Sequence, residues 1–291
     1  MNTTYDIYTG ALKMLPNFTT PPTYTPNFTY HHTHPKLTAL SHTYNLKEKA
    51  GNGPQLSQAI NLLKWLSDHT FHTSDFDNSI PFNSIDLLKY TYQQPIQKGV
   101  NCRALAKILT ECCLSIGLKA RTLYIMPFSP YDEDNHVVTI VFINDLNKWI
   151  MLDPSYNAYF MDENDNILSP WEAREMLSNQ GCIRLNDGYN YNGDYTGEKS
   201  GEPPEYYIEY MAKDLFWFFC DEISTFGIDA NGAEILAVAP IGYDVQKFFV
   251  ANIEYRIKKY GGSEGLLGWL ADVEKTETKY VSFDAFVQKP L

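Results

Sequence analysis

The sequence lacks any run of about 18 apolar residues, so no stretch reads as a membrane-spanning helix. Its first residues, Met1-Asn2-Thr3-Thr4-Tyr5-Asp6, contain no basic segment followed by an apolar one, which leaves no secretory signal to read. Cysteine is scarce. Five among 291 residues, with Cys112 and Cys113 adjacent, do not suit a disulfide framework and point to a reducing, cytoplasmic setting. The three Asn-x-Thr sequences at Asn2, Asn17 and Asn27 are then chance matches rather than glycosylation sites. Positive charge is also short, with 23 Lys and Arg against 35 Asp and Glu. The net charge of -12 argues against nucleic acid or an anionic membrane as a partner. No calcium loop is complete either. Asp162 to Asn166 starts like one, but Ile167 and Ala173 stand where it needs glycine and glutamate, so the segment reads as a turn.

What is present describes a folded protein. The apolar fraction is 44% and the aromatic fraction 14%, with 21 tyrosines suited to the walls of clefts or interfaces. Residues 1–53 are polar and rich in Pro and Thr, and Pro16-Asn17-Phe18-Thr19 recurs as Pro26-Asn27-Phe28-Thr29. They read as an extended arm pinned by its aromatics. His31, His32 and His34 lie in it without a nearby cysteine or carboxylate, so no metal site is assigned to them.

Apolar spacing predicts a helix over 54–68, followed by His69 and His72 in a loop, and a short helix around Ile85 to Leu88. Strands are expected at 119–127, 136–144 and 148–153, the last two joined by the turn-rich Asn144-Asp145-Leu146-Asn147. Ser169-Pro170-Trp171-Glu172 is a capping box that opens a helix. Residues 186–204 read as a long loop able to edge a cleft, and 206–220 is ambiguous between helix and strand. A strand at 234–239, helices from Val245 and Leu266, and a last strand at 280–286 complete the pattern. No linker divides the chain. The expected fold class is α+β, with an arm (1–53), a core (54–200) and a C-terminal α/β extension (201–291) packed on it.

The chemistry centres on Lys98 to Arg121. Asn101 is placed to cap a helix that Cys102 opens, and Leu105, Ile108, Leu109, Cys112 and Ile116 form its apolar face, stopped by Gly117. A thiol at a helix N-terminus meets the positive end of the macrodipole, which favours thiolate. His136 opens one strand and Asp153 ends the next, so a hairpin would set them side by side at a sheet edge. In that arrangement Cys102 is the nucleophile, His136 its base and Asp153 the group that orients the imidazole. The Cys102 amide is the natural oxyanion donor, with Gln93, Gln94 or Gln97 available as a second.

Four segments carry a resemblance. Gly99-Val100-Asn101-Cys102, Gly117-Leu118-Lys119-Ala120-Arg121, His136-Val137-Val138 and Trp149-Ile150-Met151-Leu152-Asp153-Pro154 resemble the core of the transglutaminase-like superfamily, over about residues 55 to 178. The resemblance implies a papain-like core, with the catalytic helix packed on an antiparallel sheet. It assigns the triad to Cys102, His136 and Asp153, with no metal and no cofactor. The expected activity is cleavage of an amide or peptide bond through an acyl-thioester on Cys102, in a peptide or protein substrate. Two rival expectations are acyl transfer to an amine, as in a transglutaminase proper, and a non-catalytic peptide-binding module.

Overall fold

Every residue from His136 to Ile143 is buried in the computed structural model, which describes residues 3–92, 98–192, 203–228 and 235–290. A strand buried throughout must be covered on both faces of its sheet. From Val138 onward its side chains divide by parity. Val138, Ile140 and Phe142 join one hydrophobic cluster, whereas Val141 and Ile143 join a second. The neighbouring strand Lys148–Leu152 divides in the same way, with Trp149 and Met151 on the first side and Ile150 and Leu152 on the second.

These strands belong to a mixed six-stranded sheet. From one edge the order is Lys279–Tyr280, Leu236–Val238, Trp217–Cys220, Lys119–Met126, His136–Ile143 and Lys148–Leu152. The first two strands run parallel and every later pair is antiparallel. The molecule is α+β. Among the described residues no helix is long and apolar enough to cross a membrane.

The helix Cys102–Ser115 packs on the sheet through its contacts with Lys119–Met126 and His136–Ile143. The Thr139 hydroxyl donates to the Ala106 carbonyl at 2.9 Å and fixes helix to strand. Sequence spacing predicts one buried face, but the structure buries the helix on all sides from Ala104 to Leu114. The reason lies in the helices Pro35–Thr43, Gln55–Ser67 and Ser84–Thr91, which cover the side away from the sheet. Gly117, at φ +92°, ends the helix. Its amide donates to Leu114 and the Leu118 amide to Cys113, the reciprocal pair of a Schellman stop.

Burial on all sides traps two charges. Lys107 and Glu111 form an ion pair at 3.1 Å with side chains 5% and 0% exposed. Glu111 also accepts from the Ser84 amide at 2.9 Å, the Ser84 hydroxyl at 2.5 Å and the Gly227 amide at 2.8 Å. Lys107 donates to the carbonyl of Ile228. The pair therefore ties the cysteine helix to a second helix and to a distant loop.

Two expectations need correction. Residues 1–53 are not extended throughout, because Thr3–Met14, Pro35–Thr43 and Leu46–Ala50 are helices and only the segment between the first two is largely extended. In that segment Thr29–Tyr30 pairs in parallel with Ile223–Ser224. Nor is 280–286 a strand. The strand is Lys279–Tyr280, after which the Ser282 side chain accepts from the Ala285 amide and starts the helix Phe283–Val287. The ambiguous 206–220 stretch resolves into both elements, the helix Pro204–Asp214 and the strand Trp217–Cys220.

Removing one member of the buried pair should be costly. Glu111→Ala leaves Lys107 and two backbone amides without their acceptor, for an expected loss of about 3–5 kcal/mol. Urea unfolding followed by circular dichroism measures it, and adding Lys107→Met should restore part of the loss. An unchanged midpoint for Glu111→Ala would remove the pair from any structural role.

Candidate active site

Cys102 is the first residue of its helix, and Asn101 caps that helix by accepting the Ala104 amide at 3.0 Å. A first-turn amide has no partner within its own helix, so the Cys102 N–H is free of intrahelical bonding. Cys102 is partly exposed as a residue, although its sulfur is shielded from water, in contrast to Cys112 and Cys113 further down the same helix, which are fully buried. The chain leading into Cys102 is held against residues 71–73. The Val100 amide donates to Phe71 at 3.1 Å and the Thr73 amide to Val100 at 3.0 Å, forming a parallel bridge between His72 and Val100. This close approach requires the glycine at 99. A Cβ there would lie 2.5 Å from Cε2 of Phe71 and 2.8 Å from Cγ2 of Thr73.

His136 and Asp153 meet through the sheet register. Thr139 pairs with Leu152, so the continued register sets Asp153 opposite Val138, two residues from His136 and on the same face. Diagonal neighbours of this kind lie within reach of long side chains. The His136 Nε2 stands 2.6 Å from Asp153 Oδ2, with exposures of 2% and 0%. Asp153 has two further donors. The Tyr207 hydroxyl reaches Oδ2 at 2.9 Å and the Ser155 amide reaches Oδ1 at 2.9 Å. With Nε2 donating to the carboxylate, Nδ1 is the ring nitrogen left for the thiol.

The Cys102 thiol is flanked by the imidazoles of His136 and His72, which line the same cleft. Burial pushes this thiol up, but the hydrogen bonds and charges of the two imidazoles outweigh it and bring it down to about 6. Burial opposes the charged form of His136. The Asp153 carboxylate and the sulfur more than compensate, and the imidazole is raised well above its ordinary range. One group is lowered and its neighbour raised, which describes a thiolate–imidazolium pair over the neutral range. Such a pair can attack a carbonyl carbon and then return a proton to the leaving group.

The structure therefore brings Cys102, His136 and Asp153 together. It also places two residues there that sequence reasoning missed. Tyr207 lay in the stretch of undecided secondary structure, so its direction was unreadable. His72, read as a loop histidine, reaches a cysteine 30 positions away because of the 71–73 bridge. No spacing rule signals that contact. Gln93, Gln94 and Gln97, expected as oxyanion donors, lie outside the described residues. His32 contacts the Leu114 carbonyl at 3.3 Å, while His34 accepts from the Lys36 amide at 3.2 Å. Among the described residues no three His, Cys, Asp or Glu side chains converge as a metal ion would require.

Cys102 and His136 line a cleft of about 680 Å³, as does His72, while Asp153 lies buried behind the imidazole of His136. One wall is aromatic, made by Tyr124, Phe219, Phe248, Phe249 and Trp269. The rim at Asp132, Glu133 and Asp134 is acidic, but its charge is balanced by Lys213, 3.3 Å from Asp134, and by Lys259, 3.0 Å from Glu133. Tyr191, from the loop expected to edge a cleft, lines it as well.

Comparison with known proteins adds little. No family model matches the chain. No curated protein matches it. Among solved structures, a candidate cysteine protease from Cytophaga hutchinsonii is similar over 56% of this chain at 17% identity, with a TM-score of 0.33. The chain spans about half of that structure's length, 51% of it, and the likeness is too distant to define the fold.

Proposed function

We propose that the protein is a thiol enzyme of the transglutaminase-like type that hydrolyses an amide or peptide bond through an acyl-thioester on Cys102. The observation that carries this reading is the continuous chain of contacts from the Cys102 sulfur to His136 and from His136 Nε2 to a buried Asp153. The thiolate attacks the carbonyl carbon and an S–C bond forms. The imidazolium then gives its proton to the leaving amine as the C–N bond breaks. Water, deprotonated by the same imidazole, releases the acid and restores the thiol. Asp153 holds the imidazole in one tautomer and favours its charged form.

A polar site built for structure alone would not need its cysteine on the lining of a cleft. Hydrolysis is preferred to amine transfer because water reaches an open cleft without a dedicated second site. Incubation with a glutamine peptide and a labelled amine separates the two fates. Ammonia release without amine incorporation supports hydrolysis, whereas incorporation shows a transferase.

The ionisation of Cys102 gives a first test. At pH 6 a free thiol of pKa about 8.5 is about 0.3% ionised, against about half for a thiol near 6. The lower basicity of such a thiolate reduces its intrinsic reactivity about tenfold. Iodoacetamide should therefore label Cys102 about ten times faster than a free thiol at pH 6, with a half-maximal rate near that pH. His136→Ala removes the counter-charge while burial remains, so the profile should move up and the advantage at pH 6 should vanish. Labelling at the free-thiol rate, unchanged by His136→Ala, would leave only the binding-module reading.

Asp153 gives a second test. Asp153→Asn keeps the size of the side chain but removes the charge and permits the wrong imidazole tautomer. Acylation by p-nitrophenyl acetate, followed as a burst of p-nitrophenolate, should slow by about 10²-fold or more. A burst as fast as that of the unaltered protein would exclude Asp153 from the chemistry.

A further inference from the structure

His72 lines the same cleft as Cys102 and, like His136, acts on its sulfur. Its segment lies beside Val100, along the backbone that leads into the helix and to the Cys102 amide. Its backbone is fixed by a side-chain amide. Asn192 Oδ1 accepts the His72 N–H at 2.6 Å and Asn192 Nδ2 donates to the His72 carbonyl at 3.0 Å. The ring is fixed too, because Nδ1 lies 2.9 Å from the Tyr191 hydroxyl. Tyr191 thus occupies Nδ1 and leaves Nε2 as the ring nitrogen available to the cysteine.

Resting on the thiol-enzyme reading, we propose that His72 is the side-chain donor of the oxyanion hole and acts together with the Cys102 backbone amide. In the resting site the His72 N–H donates to the sulfur. As the S–C bond forms, the carbonyl π electrons move to oxygen, and the negative charge passes from sulfur to an atom beside it. A donor held next to both can follow that charge, and its hydrogen bond to the oxyanion grows as the tetrahedral centre forms. When the centre collapses, the electrons return from oxygen and the leaving group departs with the proton from His136. The two imidazoles thus divide the work. His136 moves a proton, whereas His72 keeps its own. Asn192 and Tyr191 are positioning residues, since they act through His72.

Two reagents separate this role from a merely structural one. Acylation by p-nitrophenyl acetate passes through an oxyanion, but alkylation by iodoacetamide displaces iodide at a saturated carbon and makes none. At pH 9, where the thiol is ionised with or without His72, His72→Ala should alkylate within about threefold of the unaltered protein. Its acylation burst should fall by about 10²-fold, the usual loss for one oxyanion donor. His72→Gln, which restores an N–H donor of similar reach, should recover most of that loss, and Tyr191→Phe should fall between. Equal acylation by His72→Ala overturns the assignment, and so does a parallel loss of both reactions with no recovery in His72→Gln. If the unaltered protein shows neither a burst nor fast alkylation at pH 6, the thiol-enzyme reading fails first and takes this assignment with it.

Discussion

A carboxylate with no exposure to water must be compensated on every side, and Asp153 meets that demand with three donors from three parts of the chain. The Ser155 amide belongs to its own turn, His136 to the adjoining strand, and Tyr207 to the helix Pro204–Asp214. Burying such a charge without these partners would cost several kcal/mol. The same bonds that satisfy the carboxylate fix the imidazole ring, so the requirement of solvation and that of orientation are met by one arrangement. The C-terminal part of the chain is consequently built into the site. Tyr207 supports the carboxylate, while Phe248, Phe249 and Trp269 supply the aromatic wall of the cleft.

A second buried charge, Arg121, is the last residue of the Gly-x-x-Ala-Arg segment. It is 1% exposed, and its guanidinium lies 4.2 Å from the ring centroids of both Phe28 and Trp149. Its Nη2 donates to the Phe286 carbonyl at 2.9 Å. A planar, always-charged group with several donors can stack and hydrogen-bond at once, which lysine cannot. Arg121 thereby holds the N-terminal segment and the C-terminal helix on one side of the sheet. Its role in this chain is to close the ends over the core, at a distance from the thiol.

Much of this was legible in residue patterns, for reasons that differ from element to element. The cysteine helix was readable because its cap, its apolar spacing and its glycine stop are local signals, and all three appear in the structure at Asn101, at Leu105 to Cys112 and at Gly117. The three long strands were readable from runs of β-branched and aromatic residues, and their ends fall within a residue or two of expectation. Of the N-terminal helices, Pro35–Thr43 escaped because its amphipathic patterning is weak and Thr3–Met14 because it opens a polar, Thr-rich stretch, and both are held by packing on other helices. Tertiary contacts without a sequence period escaped for the same reason. Tyr207 on Asp153 and His72 on Cys102 are products of the fold, and nothing in the order of residues foreshadows either.

Gly99 shows how narrowly the proposed site is constrained. A side chain there would collide with the Phe71 ring and the Thr73 methyl, which would have to swing aside or draw residues 71–73 away from the lead-in to the helix. Those residues carry His72, and the lead-in carries Cys102. Moving the two apart by even the width of a methyl group would break the hydrogen bond between imidazole and sulfur, since such bonds weaken steeply with distance and angle. On the other flank, His136 is anchored to Asp153 and cannot follow a displaced thiol. The absence of one side chain at position 99 thus allows a single sulfur atom to lie between two imidazoles, each held from behind by a partner of its own, Asp153 for one and Tyr191 for the other. Two such imidazoles stabilise the thiol as thiolate, and the helix N-terminus adds its partial positive charge in the same direction.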